Sequence, residues 1–218
     1  MITMTTRQVS KTRLLLGAVA VGGALLLGVL VGRGGTAADT AVDRALGRWC
    51  AGRECQTAAD ALATEGGWPY AVYATVALPL LVAGVLLLGT WRGEVGRHAH
   101  ALARRLLLVL LVLVVAQELL SHLYGRVGPG ATASDSATAY PSGAALLVAF
   151  AWIGAGLVIA VPRPEWRGAW WPATFVVLVL HLVVRVAVSK HWTTDIVGSY
   201  LLVAGALALT TSGRYRSR

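Results

Sequence analysis

Residues 173–211 read ATFVVLVLHLVVRVAVSKHWTTDIVGSYLLVAGALALTT, two apolar runs joined by a short polar link. The runs cover about 173–188 and 195–211, close to the roughly 20 residues that a helix needs to cross a bilayer. Most of the charged residues lie in or beside the link, whereas the runs are rich in Val, Leu and Ala. The stretch therefore predicts a membrane-embedded helical hairpin.

The apolar pattern extends over the whole chain of 218 residues, of which 56% are hydrophobic and 13% charged. A soluble domain has about 25% charged residues, so we expect an all-α, polytopic membrane protein. The first run could be a signal peptide, but its length and the lack of a clear cleavage site favour a retained helix. We predict a single membrane domain over 1–218, a bundle of six transmembrane helices at about 14–31, 70–91, 106–124, 142–161, 173–188 and 195–211, with a short extracytoplasmic segment at 33–69 between the first two.

The distribution of charge predicts the orientation of these spans. With the N-terminus inside, the cytoplasmic side holds twelve of the 19 Lys and Arg residues and only two of the ten acids. Such an excess marks the cytoplasmic side, so we expect a multi-pass plasma-membrane protein with both termini in the cytoplasm. The twelve are Arg7, Lys11, Arg13, Arg92, Arg97, Arg104, Arg105, Arg163, Arg167, Arg214, Arg216 and Arg218.

The chain has two cysteines, Cys50 and Cys55, both in the segment that this orientation places outside. An oxidising compartment favours a disulfide between them, and two free thiols are the alternative. A metal site is not expected, because no His or third Cys lies close by in sequence. The basic residues lie in short loops and not in aromatic-interleaved patches, which argues against nucleic-acid binding.

Ionisable residues near the ends of spans are costly in a membrane and usually functional. His181 and Arg185 are four residues apart, as are His191 and Asp195, so each pair is predicted to share a helix face. Asp195 could then hold one ring nitrogen of His191 and leave the other as a nucleophile or base. Lys190 fits simple interfacial snorkelling. These residues predict a phosphate pocket beside an oriented histidine.

Two motifs support this interpretation. Arg185-Val-Ala-Val-Ser-Lys-His191-Trp-Thr-Thr-Asp195 has the spacing R-x5-H-x3-D, and Pro-Ser-Gly at 141–143 opens a predicted helix. A helix N-terminus presents free N–H groups to anions. Together they resemble the type-2 phosphatidic acid phosphatases, membrane lipid phosphate phosphatases with the motifs KxxxxxxRP, PSGH and SRxxxxxHxxxD. The resemblance covers about 121–200 and the six-span layout.

The resemblance implies a role for each matching residue. His191 would attack phosphorus to form a phosphohistidine, and Asp195 would orient and polarise it. The phosphoryl oxygens would be held by Arg185, by the Ser142 hydroxyl and by the Gly143 N–H. Arg126, which with Pro129 is what remains of the first motif, would help to hold them.

Four positions depart from the family's pattern. Ala144 stands where the family has its general acid His, and Val184 replaces the leading Ser of the third motif. Ser121 and Gly128 replace the Lys and the second Arg of the first motif, which are phosphate ligands. Loss of a general acid typically costs about 10²–10⁴-fold in rate.

His122, beside the weak first motif, is a further candidate for binding the substrate, and an interfacial histidine without a catalytic part is the alternative.

The resemblance implies a lipid phosphatase that needs no metal or cofactor and acts at the outer face, most simply on a polyprenyl phosphate or diphosphate. Phosphatidic acid and phosphatidylglycerol phosphate come next. The second reading is an inactive descendant that binds a lipid phosphate or a partner, and the third is a transporter or scaffold that merely shares the bundle.

Overall fold

The structure is a computed structural model that describes residues 6–32, 34–52, 54–55, 57, 70–90, 93–129, 139–189 and 191–211, without the side chains of 6–10 and 70–74. Seven α-helices account for most of these residues, and a short 3-10 helix, Pro164–Trp166, precedes the sixth. The α-helices are α1 (Thr6–Val31), α2 (Ala37–Trp49), α3 (Tyr70–Gly89), α4 (Glu94–Tyr124), α5 (Gly143–Ile159), α6 (Arg167–Ala187) and α7 (Thr193–Thr211).

A helix lies at each of the six predicted spans, so the all-helical prediction is confirmed for the described residues. Four of these helices are long and apolar enough to cross a membrane: α1 from Lys11, α4, α6 together with the 3-10 helix, and α7. The part of α3 with described side chains, Thr75–Gly89, and α5, Gly143–Ile159, are shorter apolar stretches. The count of six spans, the single domain and the orientation stay predictions.

Two helices begin well before the apolar runs that predicted them. The third predicted span starts at 106, but α4 starts at Glu94, so Arg97, Arg104 and Arg105 lie on the helix before its apolar run. Its first turns contain Glu, Arg, His and Ala, and most of these residues support a helix without being apolar. Similarly, the fifth predicted span starts at about 173, but α6 starts at Arg167.

The core is centred on α5, which packs against α3, α4, α6 and α7. Apolar side chains are buried around this helix, whereas the outer faces of α1, α4 and α6 leave many large apolar side chains exposed. A surface of that kind suits contact with lipid. The buried residues of α5 include Ala145, Leu146, Val148, Ala149, Phe150, Ala155, Val158 and Ile159.

Helices α1 and α7 pack closely because small residues face each other. A Cβ added at Gly205 would lie 2.8 Å from the carbonyl oxygen of Gly17, so only glycine permits this approach. Near the other end, a Cβ at Gly198 would lie 2.5 Å from the ring of Tyr140. The buried Tyr140 donates its hydroxyl proton to the carbonyl of Ala24. These contacts hold the chain that enters α5.

Helix α2 forms part of the segment predicted between the first two spans. Its N-cap, Thr36, makes a reciprocal capping box with Asp39. Its partly buried Val42 and Leu46 pack on α6 and α7. A disulfide joins Cys50 to Cys55 beyond its last turn, the pairing that the sequence favours. Residues 58–69 of this segment, like Lys190 and the C-terminal arginines, lie outside the described residues.

Candidate functional site

Four pieces of chain meet at one end of the bundle: the entry to α5, the last turns of α6, the link before α7, and the first turn of α7. Ser142 is the N-cap of α5, and its Oγ accepts a hydrogen bond from the N–H of Ala145 at 3.4 Å. The same Oγ lies 3.2 Å from Nε2 of His191. The structure therefore brings the second and third sequence motifs together.

The second ring nitrogen of His191 identifies the tautomer. Nδ1 lies 3.2 Å from the carbonyl oxygen of Ala139. Because a carbonyl can only accept, Nδ1 must donate its hydrogen there, which leaves the lone pair of the neutral ring on Nε2. Burial lowers the pKa of His191, and the nearby Arg185 cation lowers it further, whereas Asp195 and the Ala139 carbonyl oppose the shift. The ring is thus held neutral with a nucleophilic nitrogen beside Ser142.

Asp195 does not hold His191 by the predicted hydrogen bond. Its Oδ2 is 3.8 Å from Nδ1, beyond hydrogen-bond distance, and instead accepts from the N–H of Trp192 at 2.8 Å. The physical reason is that α7 begins only at Thr193, so His191 precedes the helix on which the four-residue spacing would apply. Asp195 remains a fully buried negative charge near the ring.

Arg185 occupies the last turn of α6, and among the described residues it forms no ion pair. Its buried Nε has no hydrogen-bond partner, nor do two other buried atoms, Nε2 of His181 and Oγ1 of Thr193. Nδ1 of His181 is 3.0 Å from the hydroxyl of Tyr200, which itself donates to a backbone carbonyl. Buried polar atoms without partners are rare, so these three indicate a place for a polar ligand.

Arg126 lies in the protein interior. Its side chain is fully buried, and it donates four hydrogen bonds, to Gly34 O, Thr194 Oγ1, Asp195 Oδ1 and Asp39 Oδ2. The guanidinium is therefore committed to the protein interior, in contrast to the phosphate-holding role that the resemblance implies. Asp39 and Thr194 were missed by sequence reasoning, because no motif or spacing connects them to Arg126.

Ser121, assigned to the first motif, and His122, beside it, both interact with Glu118 within α4. Ser121 is buried and donates its hydroxyl proton to the carbonyl of Glu118, within its own helix. His122 is largely exposed and pairs with the Glu118 carboxylate at 3.0 Å. The alternative interpretation of His122, a surface histidine without a catalytic part, fits this geometry.

Ala144 lies in the first turn of α5 and brings no titratable group to the site. A polar neighbour that the sequence did not single out is Gln117, whose side chain donates to the carbonyl of Pro141 at 3.4 Å. A Cβ at Gly143 would lie 3.5 Å from this amide. Among the described residues, no group of three His, Cys, Asp or Glu side chains could hold a metal ion.

Comparison with known proteins places this arrangement in a fold. No family model and no curated protein matches the sequence. Among solved structures, the chain is similar to the first transmembrane PAP2 type phosphatidylglycerolphosphate phosphatase from Bacillus subtilis, with 17% identity and a TM-score of 0.58. The match covers 90% of this chain and 93% of that one. The chain thus has the fold of a transmembrane PAP2-type phosphatase, as the motif resemblance implies.

Proposed function

We propose that the protein is a lipid phosphate phosphatase that acts on a polyprenyl diphosphate through a phosphohistidine intermediate. The observation that supports this most directly is the pairing of a neutral His191, lone pair on Nε2, with an arginine that has no ion-pair partner among the described residues. A nucleophile beside a free cation at a helix N-terminus suits a phosphoryl group. Similarity of fold to a phosphatase is consistent with it but is analogy alone.

In the first step, Nε2 of His191 bonds to the terminal phosphorus while the bridging P–O bond breaks. The leaving oxygen keeps the electron pair, and Nδ1 keeps its hydrogen on the Ala139 carbonyl. Arg185 and the N–H groups at the start of α5 neutralise charge on the phosphoryl oxygens. In the second step, water attacks phosphorus, the P–N bond breaks and inorganic phosphate leaves.

Ala144 favours a diphosphate over a monoester. A monoester releases an alkoxide, which needs a proton from a general acid that position 144 lacks. A diphosphate releases a polyprenyl monophosphate, whose second pKa of about 6 makes it a good leaving group without that proton. A phosphatidylglycerolphosphate, the substrate class in the name of the similar solved structure, is a monoester at its terminal phosphate and comes second.

We place the site at the outer face of the plasma membrane, with both termini inside. The charge distribution supports this orientation, because twelve of the 19 basic residues then face the cytoplasm. The Cys50–Cys55 disulfide supports it independently, since disulfides persist in oxidising compartments.

The test is phosphate release in detergent from a polyprenyl diphosphate and from a polyprenyl monophosphate. We expect the wild type to prefer the diphosphate and Ala144→His to raise monophosphate turnover by about 10²–10⁴-fold. His191→Ala should abolish both activities. If none of the three proteins releases phosphate from either lipid or from phosphatidylglycerolphosphate, the proposal is wrong.

The departures at position 144 and in the first motif support a second candidate, a lipid phosphate binding protein without turnover. Arg185 and the α5 N-terminus would still bind the phosphate in that case. Binding of polyprenyl diphosphate that depends on Arg185, without phosphate release by either wild type or Ala144→His, would favour this second function.

A further inference from the structure

Building on the proposed phosphatase function, we propose that Asp39, on the extramembrane helix α2, is a positioning residue for the nucleophile His191. It acts through Arg126 and Asp195 and touches no reacting atom. The sequence motifs of the site lie in residues 121–200, so this assignment extends the functional unit to a helix outside them.

The connection is a continuous chain of short contacts. Oδ2 of Asp39 lies 2.8 Å from Nη2 of Arg126, and Nη1 of Arg126 lies 2.6 Å from Oδ1 of Asp195. The second oxygen of Asp195 accepts from the N–H of Trp192, the residue directly after His191. The side chains of the ion triad are fully buried. A displacement of Asp39 is therefore transmitted to the link that holds His191.

Asp39 also forms hydrogen bonds directly with the start of α7. Its Oδ1 accepts from the N–H of Thr194 at 3.0 Å, and its Oδ2 accepts from the Thr194 hydroxyl at 2.8 Å. Thr194 lies between His191 and Asp195 in sequence, so two independent routes connect Asp39 to the link. Hydrogen bonds from Thr36, in the capping box, fix the carboxylate on its own helix.

The charge of the triad explains why a carboxylate is needed. Two carboxylates around one guanidinium leave a net charge of about −1, which stabilises a positive His191 ring. Burial alone would raise the pKa of Asp39, but the hydrogen bonds from Thr194, Thr36 and Arg126 bring it below the ordinary value, so the carboxylate stays ionised. When Nε2 attacks phosphorus, the His191 ring becomes cationic. The negative charge of the triad then offsets the repulsion between this ring and the Arg185 cation.

The remaining charged groups near these residues do not replace Asp39. On α2 itself, Asp43 accepts from the Ser189 hydroxyl at 3.1 Å, and Arg44 donates to the carbonyl of Thr40. Around His191, the titratable neighbours among the described residues are Arg185 and His181 from α6 and Asp195 from α7. Asp43 thus provides a matched control, a carboxylate on the same helix with one hydrogen bond to the link.

Asp39→Asn is the informative variant, because it retains the shape of the side chain while removing its charge. Val42 and Leu46 still pack α2 against Val186 and Ile196, so the helix should stay in place. We expect kcat to fall by about tenfold to a hundredfold, with KM changed less than twofold, as when a partner of a functional group is removed. Asp43→Asn should retain both values.

A second readout does not depend on turnover. Acylation of His191 by diethyl pyrocarbonate, followed by peptide mass spectrometry across pH, reports the ionisation of this ring. Loss of the Asp39 charge should shift its midpoint to lower pH, and Asp43→Asn should not. An unchanged midpoint in a folded Asp39→Asn protein would overturn the positioning role. A wild type without phosphatase activity would overturn the proposed function while leaving this measurement interpretable.

Discussion

The two sides of the candidate site treat their arginines in opposite ways. On the α6–α7 side, Arg185 has a buried Nε without a partner, and among the described residues it forms no ion pair. On the α4 side, Arg126 is fully buried and donates to two carboxylates, a hydroxyl and a carbonyl. Both belong to matched parts of the family's motifs, yet of the two only Arg185 has a buried nitrogen without a hydrogen-bond partner among the described residues.

The difference shows that a motif match does not by itself assign a phosphate ligand. A partly buried cation without an ion-pair partner among the described residues, as Arg185 is, carries a desolvation cost that an anionic ligand would offset. A cation between two carboxylates is already complete, and its removal leaves two charges buried. We therefore expect changes on the two sides to separate loss of activity from loss of stability.

The largest effect is expected at Arg126. Arg126→Met removes the centre of the triad and leaves Asp39 and Asp195 as uncompensated buried charges, which should destabilise the fold by about 3–5 kcal/mol. Thermal unfolding in detergent measures this loss. Adding Asp39→Asn to Arg126→Met should recover part of it by removing one of the two charges. An Arg126→Met protein of wild-type stability would show that the triad has no structural role.

At Arg185, the change should appear in activity instead. Arg185→Gln removes the cation that we propose binds the phosphoryl group and should lower kcat/KM by about 10²–10³-fold, the usual cost of one transition-state donor. Its thermal stability should equal or exceed that of the wild type, since a partly buried charge with a buried, unpartnered Nε disappears. Arg185→Lys tests whether bidentate binding by the guanidinium is needed, because lysine keeps the charge without the bidentate geometry. Equal loss of stability at both arginines would remove the contrast between the two sides.

The pH dependence of activity tests whether the charge of Arg185 acts on His191. His191 must be neutral to attack, and its pKa lies below the ordinary value of about 6.5 because of burial and then Arg185. Activity should therefore persist into mildly acidic solution and fall only as pH drops through this lowered pKa. Arg185→Gln should move the acid limb of kcat/KM to higher pH. An unchanged acid limb would show that Arg185 has no electrostatic effect on His191.

Most of the fold could be predicted from the apolar runs, because lipid exposure demands helices of nearly fixed length. The early starts of α4 and α6 could not, since hydropathy does not register polar residues that continue a helix. Within the site, His191, Ser142 and Arg185 follow from short motifs. The pairing of Arg126 with Asp39 could not be predicted, because Asp39 lies 87 residues away in a segment without a motif.

The smallest effect is expected at His122, which the sequence made a candidate for binding the substrate. Its ring pairs with Glu118 on an exposed surface, and such pairs contribute at most about 1 kcal/mol. His122→Ala should therefore change kcat/KM less than twofold, on diphosphate and monophosphate alike. Ser121→Ala is its buried counterpart, since it removes only a hydrogen bond within α4. A loss of about tenfold or more at His122 would return the α4 side to the phosphate, and Arg126 would then need to be examined as a ligand that exchanges partners during turnover.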